Sequence, residues 1–114
     1  PFKKDMETAI SLDPSVEEGG PHRALGNLYL KLPYILGGDL SRSIGHFKKA
    51  TSLGPEFGGN YLGLAEAYIE NDEHVLARAT LSKVINMEFK SQNAESILSW
   101  QKKAKRLFKK IADN

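Results

Sequence analysis

Apolar residues along this chain return at the spacing of helices buried on one side. Tyr61, Leu64, Ala65 and Tyr68 fall at i, i+3, i+4 and i+7, positions that share one helical face. Ile97, Trp100, Ala104, Leu107, Phe108 and Ile111 form another such stripe near the end of the chain. Carried over the whole sequence, the pattern predicts six helices, over about 3–12, 21–32, 40–52, 60–70, 73–86 and 93–112. Pro21 suits a first helical turn. Asp39 and Asp72 are expected N-caps, and Ser91 or Asn93 is expected to cap the last helix. Pro55 should end the third helix, because proline pushes the residue before it, Gly54, out of the helical region. The acid pairs Glu17–Glu18 and Asp72–Glu73 precede or open helices, where negative charge complements the dipole.

One segment departs from the pattern. In LYLKLPYILGGDL, residues 28–40, helical spacing runs through Leu28, Tyr29 and Leu32 until Pro33 breaks it. Three large apolar residues then follow in a turn. Tyr34, Ile35 and Leu36 either fold back onto the helices or stand exposed as a contact patch for a partner or a membrane surface.

The chain also repeats itself. METAISLDP (6–14) and FKKATSLGP (47–55) align Met6 with Phe47, Ala9 with Ala50, Leu12 with Leu53 and Pro14 with Pro55, each 41 residues apart. LGNLY (25–29) and LAEAY (64–68) align at 39, and Ser43, Phe47 and Ala50 return as Ala77, Leu81 and Val84 at 34. Small residues at Gly26, Ser43, Ala65 and Ala77 would let paired helices approach closely.

These features resemble the tetratricopeptide (TPR) repeat, a helix hairpin of about 34 residues with small residues on both helices and a closing proline. The resemblance covers roughly residues 3–90. It implies an all-α fold, a short right-handed TPR superhelix of antiparallel helix hairpins with a C-terminal capping helix. A single domain over 1–114 would comprise a half repeat at 3–14, a repeat at 20–55 with a turn insertion at 33–38, a repeat at 58–90 and the capping helix at 93–112. The insertion accounts for an offset of 39 where 34 is usual, and lengthening a loop costs little entropy. His22 stands where the family usually has an aromatic residue. A narrower likeness rests on GGPHRALGNLYLKLP and GGDLSRSIGHFKKA, with the arginine before the Leu-Gly pair and the Gly-Gly-Asp turn. It is similar to bacterial envelope proteins built on TPR-like hairpins, among them the helical accessory subunit of TRAP-type solute transporters and small membrane-anchored TPR domains.

Length and composition fit one globular domain: 114 residues, 40% of them hydrophobic, can bury roughly two thirds of the unfolded surface. No apolar run approaches the roughly 20 residues that span a bilayer. With no cysteine there is neither a disulfide framework nor a thiolate metal site. The first residue is Pro, so a fragment of a larger chain is expected, with any anchor or signal upstream of it. Met6, Ile10 and Leu12 would then offer an apolar side that a second subunit could cover, giving a homo-oligomer. Charge is uneven: residues 101–114 carry Lys102, Lys103, Lys105, Arg106, Lys109 and Lys110 against Asp113, a net +5, and the remainder is −3.

Catalysis is not expected. His22, His46 and His74 fall on different predicted helices, none with a second His or a carboxylate at i+3 or i+4. Nucleophile-elbow, P-loop and dinucleotide-binding spacings do not occur, and the Gly pairs at 19–20, 37–38 and 58–59 sit at turns and helix starts. Neither a metal nor a cofactor is called for.

The TPR resemblance implies a concave groove instead, lined by the first helix of each hairpin. Arg23, Asn27, Leu30 and Lys31 would face it from one helix, and Leu62, Glu66, Ile69 and Glu70 from the next. Arg23 and Asn27 match two positions with which chaperone-binding TPR domains clamp a C-terminal carboxylate, whereas Gly63 and Ile97 stand where further donors are usual. Arg23 and Lys31 can also pair with Glu66 and Glu70 between hairpins. The basic helix QKKAKRLFKK has three readings: a solvated end cap, a dock for anionic membrane made amphipathic by Trp100, Leu107 and Phe108, or a nucleic-acid contact without any base-reading module beside it.

The function expected from this is a non-catalytic scaffold that takes a protein partner, a peptide or helix, in its groove. It would be the soluble domain of a membrane-anchored or periplasmic envelope protein. One alternative is an envelope solute-binding or transporter-accessory module enclosing a small ligand. Another is docking to anionic lipid through the basic helix.

Overall fold

The computed structural model describes residues 16–88 and 94–112. The half repeat expected at 3–14, with Met6, Ile10 and Leu12, lies outside the described residues, as do Ser91 and Asn93. Among the described residues the fold is all-α. Helix α1 (Val16–Lys31) is followed by a 3-10 turn (Tyr34–Leu36), then by α2 (Leu40–Leu53), α3 (Gly58–Glu70), α4 (His74–Ile85) and α5 (Ala94–Ala112). Each helix packs on the next in sequence; α3 also touches α1 and α5, while α2 and α4 make no contact with each other. The helices α1, α3 and α5 therefore form one continuous row.

The offsets seen in the sequence correspond to shared burial. Ser43, Phe47 and Ala50 on α2 and Ala77, Leu81 and Val84 on α4 are all fully buried, and so nearly are Leu25 and Tyr29 on α1 and Leu64 and Tyr68 on α3. Phe47 sits at the centre, with its ring against both Gly26 of α1 and Gly63 of α3. A Cβ at Gly26 would lie 2.8 Å from Phe47 Cδ2, and one at Gly63 would overlap the ring outright. Ser43 Oγ donates to the carbonyl of Gly26 at 2.7 Å, so α1 and α2 are joined at their closest approach.

Buried polar side chains finish the helix ends. Asn60 Nδ2 donates to the carbonyls of Ala50 (3.0 Å) and Gly54 (3.1 Å) where α2 stops. Gln101 Nε2 lies 3.2 Å from Val84 O, 2.9 Å from Ile85 O and 3.2 Å from Met87 O, past the end of α4. Carbonyls in a last helical turn lack the full set of partners inside the helix, and each amide side chain adds a donor there, beside the backbone N–H groups of Gly54 and Met87 that already reach Ala50 O and Val84 O.

Most predicted limits hold to within two residues, and Asp39 caps α2 by accepting from the Arg42 N–H at 3.1 Å. Two local readings need correction. Helix α1 starts at Val16, so Pro21 lies inside it rather than in its first turn; Gly19, two residues earlier, has φ 85°, outside the right-handed helical region. Asp72 does not cap α4. Its backbone has φ 57°, and Glu73 occupies the cap position without a side-chain bond to the helix backbone.

The connection between α1 and α2 is five residues longer than the one between α3 and α4, as the difference in offsets requires. Backbone bonds lock it. Leu36 N–H and Gly38 N–H both donate to Pro33 O (2.9 and 3.0 Å), and Asp39 N–H donates to Tyr29 O at 3.1 Å. Gly38 is required, because a Cβ there would run into the Leu32 carbonyl. The apolar side chains point outward: Tyr34 and Ile35 are 88% exposed and Leu36 is 66% exposed. Of the two fates the sequence allowed, the turn adopts the exposed one.

Candidate functional site

The row of α1, α3 and α5 leaves an open groove of ≈ 460 Å³ on its surface. Leu30 and Lys31 line it from α1, Glu66, Ile69 and Glu70 from α3, and Lys103, Leu107 and Lys110 from α5. Leu30, Ile69 and Leu107 are partly buried against the core and make an apolar floor. Charged heads form the walls. Glu66 reaches both neighbours: its Oε2 is 3.4 Å from Lys31 Nζ and its Oε1 is 2.9 Å from Lys103 Nζ. Lys31 is largely exposed and Lys103 is nearly half exposed, so each pair is worth only about 0–1 kcal/mol and yields readily to another ion. No ion pair engages Glu70 or Lys110 among the described residues.

A second hollow, of ≈ 420 Å³, shares Leu30 and Glu70 with the first and is walled by Tyr29, Leu32, Tyr34, Gly38, Asp39 and Leu40. Tyr34 thus connects the exposed turn to the groove. One concave strip runs from Lys110 on α5 to the turn after α1.

The structure brings Lys31, Glu66, Ile69 and Glu70 together, with Leu30 beside them. Three other residues expected in the groove are not part of its lining. Leu62 is buried in the core, and Asn27 is exposed elsewhere on α1. Arg23 turns inward: Nη1 donates to Asn60 Oδ1 at 2.8 Å, and the guanidinium lies 4.2 Å over the Phe57 ring. That ring is itself 5.0 Å from Trp100. Arg23 therefore ties α1 to the start of α3, where Phe57 in turn meets Trp100 of α5. The pairing of Lys31 with Glu66 across hairpins is the one found among those expected.

Lys103, Leu107 and Lys110 were not anticipated as groove residues. Their spacing of i, i+4 and i+7 on α5 is the signal that could have placed them on one face. Trp100, Leu107 and Phe108, expected as an apolar side for a membrane, pack against the protein core instead.

The histidines bring one further surprise. His22 Nδ1 lies 3.0 Å from His46 Nδ1, and the His46 ring stacks on Tyr29 at 5.7 Å. Burial, and then the charges of His46 and Lys49, lower the pKa of His22. No group of three or more His, Cys, Asp or Glu that could hold a metal occurs among the described residues. None of the described helices is long and apolar enough to cross a membrane.

The family model described as TRAP transporter T-component matches residues 2–114. No curated protein matches the chain.

Proposed function

The chain belongs to the TRAP transporter T-component family, and from that premise we propose that it is a non-catalytic accessory module that seats a segment of another transporter subunit in the groove between α1, α3 and α5. The observation that carries this reading is the composition of the strip. An apolar floor of Leu30, Ile69 and Leu107 lies between cationic and anionic walls, and the strip ends at the exposed Tyr34 turn. An amphipathic segment fits such a surface, with its apolar side on the floor and its charges exchanging with the weak Glu66 pairs. Tyr34, Ile35 and Leu36 then act as anchors at one end, since exposed aromatic and aliphatic side chains are where interface energy concentrates. The fold is read as a short TPR-type superhelix, supported by the 34-residue offset of buried positions and by the row of alternate helices. As a transporter accessory the protein would work in the cell envelope, beside a membrane.

A second reading draws on the groove volume, which falls within the roughly 300–1,000 Å³ typical of small-molecule sites. A carboxylate could pair with Lys103 and Lys110 while its apolar tail covers Leu107 and Ile69.

A photo-crosslinker at Ile69 or Lys110 separates the two. Crosslinks to a defined subunit of the same transporter, absent when the probe sits at Lys48 on α2, support the partner reading. No crosslink from the groove, together with a rise in melting temperature on adding amphipathic carboxylates, favours the solute reading.

A further inference from the structure

We propose that the outer face of α5 docks on anionic phospholipid. The inner side of this helix is occupied: Ile97, Gln101, Ala104 and Ile111 are buried, and Lys103 lines the groove. Leu98, Lys102, Lys105 and Lys109 follow at i, i+4, i+7 and i+11 on the opposite side, with Arg106 in the adjoining column, and all five are exposed. At 1.5 Å per residue the face extends about 16 Å. Among the described residues none of its four cations has a carboxylate partner, whereas Arg42 pairs with Asp39 and Lys31 with Glu66. Glu95 is the only acidic residue of the helix. A solubilising end cap needs charge of either sign; this one is almost wholly cationic on a chain whose remainder is net acidic.

The occupant must be anionic and extended. A lipid surface meets both conditions, and basic segments held near it are attracted within a Debye length. Leu98, 58% exposed at one end of the row, suits the headgroup boundary. No aromatic residue stands in the row to stack a base. Lipid docking rests on the proposed accessory role, which would hold the chain beside a bilayer whatever the groove binds. Because Trp100, Leu107 and Phe108 face the core, contact is electrostatic rather than insertive.

The test is sedimentation of the chain with vesicles of phosphatidylglycerol and phosphatidylcholine, against phosphatidylcholine alone. Binding is expected only to the mixed vesicles, and it should vanish as salt shrinks the Debye length to about 3 Å. Lys102→Glu/Lys109→Glu should weaken it about tenfold or more, while Lys48→Glu/Lys49→Glu, an equal charge change on α2, should leave it within about twofold. Lys105→Ser/Lys109→Ser supplies a milder variant should the first melt early. Equal loss in the α2 variant, no binding to anionic vesicles, or tighter binding to a DNA duplex or an acidic protein each overturns the proposal.

Discussion

The ring of Phe47 occupies the space that a side chain at Gly63 would need. Alanine is the better helix former by about 1 kcal/mol, yet the overlap cannot be relieved without moving α2 away from α3. Gly63→Ala is expected to destabilise the fold by about 1–3 kcal/mol in denaturant unfolding. Adding Phe47→Leu should recover part of the loss, which a mere propensity effect would not do.

Gln101 gives one side-chain amide to three carbonyls at the end of α4. Gln101→Leu keeps the volume and removes the donor. A loss of about 1–3 kcal/mol is expected, the cost of removing a buried donor that several carbonyls share, and amide exchange should quicken at the end of α4.

His22 is held neutral in the fold, with its pKa below the ordinary 6.5. Above that value both folded and unfolded chains carry a neutral ring, and the contribution to stability is complete. As pH falls below it the unfolded chain takes up the proton first, so stability declines until the folded pKa is reached. Melting temperatures measured between about pH 5 and 8 should fall more steeply on the acid side for the wild type than for His22→Phe.

Glu66 bridges Lys31 and Lys103 across the groove. Glu66→Gln should cost no more than about 1 kcal/mol, since both lysines are substantially exposed. The same change leaves the groove more cationic. Calorimetric titration should then show tighter binding of an acidic partner segment or an amphipathic carboxylate, and weaker binding in Lys110→Glu.

The turn at Tyr34, Ile35 and Leu36 is held by its backbone and not by its side chains. Replacing all three with Ser should change stability by no more than about 0.5 kcal/mol. Affinity for the transporter subunit should fall about tenfold or more if these are the anchors. A folded triple variant that binds normally would remove them from the interface.

Among the described residues, the helices and their register were legible along the chain because burial of one face imposes its period locally. Ser43, Phe47 and Ala50 needed only each other's spacing to be read as a buried edge, and the five extra residues after α1 followed by subtraction. Inward-facing polar residues could not be found this way. Asn60 and Gln101 look like surface residues until the carbonyls they cap are brought beside them, and those belong to the preceding helix. Arg23 matched a carboxylate-clamp position in the sequence, but in the fold its guanidinium reaches Asn60, 37 positions away. The groove's third wall depends on α5 lying against α3, which no local pattern encodes. Hydrophobic periodicity is a property of one helix, whereas a hydrogen-bond partner or a groove lining is a property of how several helices are superposed. The sequence therefore determined which faces are buried, and the tertiary structure alone decided which polar groups meet.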